Sequence, residues 1–390
     1  MFDIKVLVPI WGKEYFDLFF KVNLNSFAND LSNLPKNCTV TLSVYCSKKN
    51  QKAFVKQMKE NYEFINGKID FNFFESFGIN TEVLPSQKNG FKYEFISSIQ
   101  KHFFETATMN SILIFNYADF FWSNNSLKSC ILKIIDEDIS IIFSFCPPVK
   151  RSKILSFLSE SRLSNSIEYY SEYITTNFED LLHDEIWRRK FTNKKISVMP
   201  SYLIWKNKYE VIFHSYHQTI LAVKKDDSFE SAGLNFGTLD GYSAGEFFHK
   251  SKQDNKKIYF MNDLTKQFVV SLHPDNFSSE ESKNKILGNK DLSDPFYEMF
   301  KNAITTPQME MALVEYKWIK PNRVNIIKGI DNNQTQRILE INKKYGYLLS
   351  KNKNQNKKIN DLGNIKISRY NNLFNLLKTL IRRILFKYFF

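Results

Sequence analysis

The sequence predicts an α/β protein built on a mostly parallel sheet, and three observations carry that prediction. Ile112 to Phe115 is a continuous apolar run of strand length and Ile139 to Phe145 an apolar run broken only by Ser140 and Ser144, the pattern of strands covered on both faces. Over the first 145 residues such runs alternate with stretches whose apolar residues recur at helical spacing. At the end of the first run the character flips to Asn116-Tyr117-Ala118-Asp119, and ligands of open α/β sheets bind outside the carboxyl ends of the strands. Asp119 is therefore the leading site residue, with an ordinary turn aspartate as its alternative role.

The elements follow in order. Ile4 to Ile10 reads as the first strand, Trp11-Gly12 as a turn, and Tyr15 to Phe27 as a helix. Thr39 to Tyr45 is a second strand, Gln51 to Tyr62 a helix, and Ile69 to Phe74 an alternating third strand. Phe91 to Thr106 places Phe91, Phe95, Ile99, Phe103 and Phe104 on one side of a helix that feeds the Ile112 strand. Asn124, Asn125 and Ser126 are positioned to start and cap a helix beginning near Leu127. The Ile139 run stops at Pro147-Pro148, after which Ile154 to Arg189 reads as largely helical. Ser197 to Trp205, Tyr209 to Tyr216 and Thr219 to Val223 have the spacing of an antiparallel meander against the edge of the parallel sheet. Asp240 to His249 reads as a helix and Ile258 to Met261 as a last short strand. Weak helical segments follow at Pro295 to Thr305, Gln308 to Trp318 and Gln334 to Leu349, then a low-complexity linker from Asn352 to Asn360.

Charge is unevenly distributed along the chain. The net charge is +13, yet residues 341–390 hold twelve Lys or Arg against one acid, Asp361, leaving +2 for the first 340 residues. A near-neutral body with a basic tail argues against a nucleic-acid-coated domain. Cys38, Cys46, Cys130 and Cys146 lie far apart with no C-x-x-C pair, as expected of free thiols in a reducing compartment. The start Met1-Phe2-Asp3 lacks a basic region and runs straight into a strand, so no signal peptide is expected. No apolar run reaches the ~18 residues of a membrane span.

Several chemistries are excluded by motif. The chain has no G-x-x-x-x-G-K-[ST], G-x-G-x-x-G or H-E-x-x-H. What remains is a set of acids and histidines that follow or interrupt apolar strands: Asp119, His214, His217, Asp240, Asp263 and His273.

Four stretches resemble, in their order, the GT-A class of nucleotide-sugar glycosyltransferases, and more narrowly a bacterial group whose first strand ends in V-P-[VI]-W-G. They are Val8-Pro9-Ile10-Trp11-Gly12; Asp119 with Ser123 to Leu127; Pro200-Ser201 and Trp205 with Phe213 to His217, where such proteins tend to carry F-H-x-H; and Thr238-Leu239-Asp240 before Ile258 to Asp263. The resemblance covers residues 1–275. It implies a GT-A-like, Rossmann-type mixed and mostly parallel sheet flanked by helices, with residues 1–150 as the donor-nucleotide half and 151–275 as the acceptor half. A helical extension over 276–350 and a basic segment over 351–390 follow.

The resemblance also implies roles. Pro9, Trp11, Asp119 and Lys92, with Lys88 beside it, fall on the donor side, and His214, His217 and Trp205 are placed for the acceptor or a phosphate. GT-A enzymes commonly hold Mg²⁺ or Mn²⁺ through D-x-D, an oxygen set suited to hard cations. The counterpart here is Tyr117-Ala118-Asp119, with one acid. A divalent metal on Asp119, with His217 as a further contact, and a metal-free site both stay open. Asp240 is the candidate base for the acceptor hydroxyl or, alternatively, a helix N-cap. The expected partners are a nucleotide-sugar donor and a glycan or lipid-linked glycan acceptor of a bacterial surface polysaccharide, lipopolysaccharide or capsule. The competing readings are a non-catalytic carbohydrate- or nucleotide-binding module and a nucleic-acid-binding protein acting through its tail.

That tail ends in a distinctive pattern. Leu373, Phe374, Leu377, Leu380, Ile381, Ile384, Leu385 and Tyr388 recur at spacings of three and four, opposite Lys378, Arg382, Arg383 and Lys387. Such a helix lies in the interface of an anionic membrane, or docks its stripe on protein. The expected location is cytoplasmic, peripheral on the inner face of the membrane.

Overall fold

The computed structural model describes residues 1–61, 67–77, 89–160, 167–183, 187–188, 196–197, 202–206, 210–227, 229, 239, 242–275, 286–287 and 305–319. All lie in one compact unit, Met1–Lys328; the second unit, Gly329–Phe390, falls outside them, as does the expected C-terminal helix.

In chain order the elements begin with β1 (Phe2–Pro9), α1 (Gly12–Leu18), a π-helical turn (Phe19–Asn23), α2 (Leu24–Ser32), β2 (Cys38–Cys46), α3 (Lys48–Asn61), β3 (Gly67–Phe73) and α4 (Asn89–Thr106). Next come β4 (Ile112–Phe115), β5 (Phe120–Trp122), α5 (Ser126–Asp136), β6 (Ile141–Ser144), β7 (Pro148–Lys150), α6 (Arg151–Glu160), α7 (Ile167–Leu181) and β8 (Trp187–Arg188). The chain continues through β9 (Ile196–Ser197), β10 (Tyr202–Lys206), β11 (Glu210–Ser215), β12 (Thr219–Lys224), α8 (Tyr242–Gln253), β13 (Ile258–Phe260) and β14 (Val269–His273). Last are β15 (Ile286–Leu287), α9 (Thr306–Ala312) and β16 (Tyr316–Ile319).

The central sheet has seven strands in the order β13-β6-β12-β4-β1-β2-β3. All run parallel except β12, which is antiparallel to both β4 and β6. Strand alternation sends Ile4, Val6 and Val8 into one core with residues of α2, α3 and α5, and Leu7 into a second core with α4 and α8. Helices thus cover both faces, and the mostly parallel α/β class predicted from the sequence describes this sheet.

Three expectations are corrected. The meander over 197–223 does not form at a sheet edge: β10 and β11 pair in a separate sheet, β16-β11-β10-β8, while β12 crosses into the middle of the central one. The sequence Thr-Ile-Leu-Ala-Val is almost wholly buried in β12, which suits a strand with neighbours on both sides better than an edge. Ile258 to Met261 is not the last strand, because β14 follows and pairs with β5 and β7 in a three-stranded sheet. The segment from Gln308 to Trp318 is not one helix. It is a short helix started by a Thr305/Gln308 capping box, followed by β16, which pairs antiparallel with β11.

A fourth correction concerns the cap of α5. Asn125 takes the cap position in the left-handed region, φ 63°, and makes no side-chain cap bond. Instead the carboxylate of Asp30, on α2, accepts from the amides of Asn125 (3.1 Å), Leu127 (3.0 Å) and Lys128 (3.1 Å). An acid at a helix N-terminus satisfies orphan N–H groups and the helix dipole together. All four cysteines are free, with Cys46, Cys130 and Cys146 buried.

Candidate functional site

β4 ends at Phe115, and the next residue anchors everything that follows. The Asn116 and Asn23 amides bond reciprocally at 2.8 Å, Asn116 Oδ1 also accepts from Trp122 Nε1 at 2.9 Å, and Asn23 Nδ2 donates to the Phe120 carbonyl at 2.8 Å. Ser26 Oγ receives the Trp122 amide at 3.0 Å. Asn23 comes from the π-helical turn between α1 and α2 and is fully buried. The turn from Tyr117 to Phe120 closes on its own backbone bond of 2.9 Å, and the Asp119 carbonyl accepts from Leu272 of β14 at 2.7 Å. Asp119 is thereby held through its backbone from both sides. Its half-buried carboxylate has no hydrogen-bond or ion-pair partner among the described residues.

Other residues reach the same edge. β12 runs antiparallel beside β4, so His217, just before β12, and Asp119, just after β4, leave the sheet at one end. His217 is half-buried, its amide bonds Ser215 Oγ at 2.9 Å, and its ring lies 4.3 Å from that of Tyr216. Pro9 is buried opposite Tyr45 at the end of β1. Trp11 is half-buried with its ring 4.1 Å from Tyr15, and it packs with Tyr117 on the core that α4 covers. Gly12 then takes φ +73°, a left-handed conformation that opens α1.

His273 follows Leu272 and so passes next to the Asp119 turn, with its ring 5.8 Å from that of buried His183. Beyond it, Asp275 bonds the Ser152 hydroxyl and amide at the start of α6, and these bonds hold its carboxyl below the usual range.

His214 does not join this edge. It is fully buried on β11, Nδ1 3.2 Å from the Ala312 carbonyl and Nε2 4.0 Å from Glu315, so it packs the returning 305–319 segment rather than facing a ligand. Gln218 secures that segment further through the Met311 carbonyl (2.5 Å) and the Tyr316 hydroxyl (2.7 Å). Trp205 pairs with Ile212 in the same separate sheet, its side chain outside the described residues, as is that of Lys92 on α4. Asp240 also lies outside them; Leu239, its neighbour in sequence, is described.

α4 supports the site from below. Gln100, fully buried, donates to the Tyr117 hydroxyl and accepts from the Leu239 amide at 3.2 Å. His102 Nδ1 meets the Tyr45 hydroxyl at 2.7 Å; burial lowers the imidazole and raises the phenol, so the neutral pair is favoured. Lys225 Nζ caps the helix end at the carbonyls of Phe104 (2.7 Å) and Ala107 (2.5 Å). Asn23, Gln100 and Asp30 carry no sequence motif. Buried polar side chains inside helical patterns were their only signal.

For a metal, the donor set decides. No group of three or more His, Cys, Asp or Glu side chains gathers to hold an ion among the described residues. A single open carboxylate fits a Mg²⁺ or Mn²⁺ that arrives with a phosphate ligand, and does not fit a resident ion caged by protein.

No family model and no curated protein matches the sequence. Solved structures similar to the chain include mouse xyloside xylosyltransferase 1, at 13% identity over 41% of this chain and 59% of that one, TM-score 0.27. The S. aureus TarS 1-349 complex with UDP-GlcNAc matches at 16% identity over 38% of this chain and 35% of that one, TM-score 0.25. The mannosyltransferase PcManGT from Pyrobaculum calidifontis, in complex with GDP-Man and Mn²⁺, matches at 12% identity over 69% of this chain and 56% of that one, TM-score 0.31. The chain thus spans less than two thirds of the length of each. At such scores the chemistry has to be argued from this chain's own residues.

Proposed function

We propose that the chain is a nucleotide-sugar-dependent glycosyltransferase. The observation that carries the reading is the open carboxylate of Asp119, fixed by a buried amide network at the carboxyl edge of a mostly parallel sheet. A preorganised negative charge in that place suits the diphosphate of an activated sugar through a divalent cation, which would neutralise charge building on the leaving group. Trp11 and Pro9 border the donor, and Lys92 is the proposed phosphate contact. In the transfer the bond from the sugar's anomeric carbon to the phosphate oxygen breaks and a bond to the acceptor oxygen forms. The acceptor's proton passes to a base, for which Asp240 is the candidate, and His217 is the further residue proposed for the acceptor side.

The proposed acceptor is a growing bacterial surface glycan, lipopolysaccharide or capsule, carried on lipid. The basic amphipathic pattern of residues 371–390 supports this, since it would hold the enzyme at an anionic inner membrane face. Among the described residues no helix is long and apolar enough to cross a membrane.

Thermal shift against UDP-GlcNAc, GDP-mannose and other nucleotide sugars, with and without Mn²⁺, tests the reading. A ligand that binds only the folded state at a hundred times its Kd adds about 2.7 kcal/mol of stability, which a melting curve resolves. If no nucleotide sugar shifts the transition or is hydrolysed, the reading fails.

A further inference from the structure

We infer that Gln100 is a positioning residue that sets the Asp119 turn against the segment entering Asp240, an inference that rests on the transferase reading. Its side chain is completely buried, and its two polar ends are used on two different loops. Nε2 donates to the hydroxyl of Tyr117, two residues before Asp119, and Oε1 accepts from the amide of Leu239, one residue before Asp240. Leu239 is itself fully buried, and its carbonyl accepts from Ile220 of β12 at 3.2 Å. The amide is rigid and planar, so a shift of either loop is felt by the other. The helix beneath is pinned by the His102–Tyr45 bond and by Lys225, which makes Gln100 a fixed reference for both.

An amide buried between two loops is costly unless both ends are bonded, and an apolar side chain would fill the same space with no such demand. What the amide adds is registration. Sugar transfer needs the acceptor oxygen aligned with the anomeric carbon, and a displacement near 1 Å can cost on the order of a hundredfold in rate. Donor hydrolysis needs the donor side alone. Loss of the Gln100 link therefore lowers kcat for transfer more than it changes donor KM, and raises the ratio of hydrolysis to transfer.

The test uses the full chain, with whichever nucleotide sugar shifts its melting most. Tyr117→Phe removes one hydroxyl, and with it the Nε2 arm, and leaves the Leu239 arm in place; Gln100→Leu breaks both. Donor KM is expected within threefold of wild type in each, with transfer kcat down tenfold or more in Gln100→Leu. The hydrolysis-to-transfer ratio should rise at least fivefold in Tyr117→Phe. A ratio within twofold of wild type in Tyr117→Phe overturns the proposal, whether or not Gln100→Leu folds. If the wild type neither binds nor hydrolyses any donor, the transferase reading fails separately. Amide exchange at Leu239 then decides the link: at least fivefold faster exchange in Tyr117→Phe supports it, and an unchanged rate overturns it.

Discussion

Asn23 and Asn116 exchange two amide hydrogen bonds of 2.8 Å across 93 residues of sequence, deep beneath the turn that carries Asp119. The pairing depends on the π-helical turn, which inserts an extra residue per turn and brings Asn23 to the inner face of its helix. Trp122 completes the arrangement on the far side of the turn. The candidate carboxylate therefore stands on a fully bonded polar core rather than on a surface loop, which is the kind of support a preorganised site requires.

Replacing Asn116 with Ala should destabilise the fold by about 2 to 3 kcal/mol, because it strips the acceptor from Trp122 Nε1 and a partner from Asn23 in a dry environment where each unmet group costs about 1–3 kcal/mol. Urea unfolding at equilibrium measures this. A midpoint equal to that of wild type would mean that water satisfies these groups and that the network does not hold the turn.

Asp119→Asn should leave stability near that of wild type, since no bond of the carboxylate to a described residue is lost. Turnover should fall a hundredfold or more, the scale of removing one electrostatic stabiliser from a transition state. Steady-state kinetics beside a melting curve check both halves. Unchanged turnover with an intact fold would sink the proposed role.

The sheet was legible because Val6 to Val8 in β1, the whole of β4 and Ile141 to Phe143 in β6 are apolar without interruption and their helices keep helical spacing. Asp119 and His217 stood out as candidates for the same reason, as polar residues where such runs stop or restart. The placement of β12 was not legible: a short apolar run between turns does not show which strands flank it, here β4 and β6. β5 and β14 are short and surrounded by aromatics, and their pairing depends on residues 147 apart, such as Val269 and Trp122. His214 looked like a ligand because sequence shows its position beside a strand end but not the segment that returns to bury it. Asp30 shows the converse. An acid inside α2 signals nothing until α5 is found resting its amide groups on it.

Asp30 also gives the fold a pH dependence of defined sign. Burial raises its carboxyl above the ordinary 3.8, against the lowering effect of the Lys128, Asn125 and Leu127 amides. Between 3.8 and the raised value the native chain holds a proton that the unfolded chain has released, so this residue's contribution to stability falls as pH rises through that window. Asp30→Asn cannot titrate. The stability difference between wild type and Asp30→Asn, from urea unfolding at a series of pH values, should therefore move against wild type as pH climbs through the window and be flat above it. A difference independent of pH would show that the folded carboxyl titrates as it does in the unfolded chain.

The C-terminal segment makes the last prediction, from sequence alone. Lys378, Arg382, Arg383 and Lys387 interrupt an apolar stripe that is otherwise regular from Leu373 to Tyr388, so the segment suits the membrane interface and cannot span. Each basic residue close to an anionic leaflet contributes about 1 kcal/mol, enough together to make attachment firm where the apolar face alone would leave it marginal. Screening reduces that contribution as salt rises. The full chain should float with vesicles containing phosphatidylglycerol at low salt, float less at high salt, and float poorly with purely zwitterionic vesicles. Deleting residues 371–390 should abolish flotation while leaving the melting transition and its donor-induced shift in place. A truncated chain that still floats locates the membrane contact elsewhere. One that no longer folds shows instead that the apolar stripe belongs to the protein's own core.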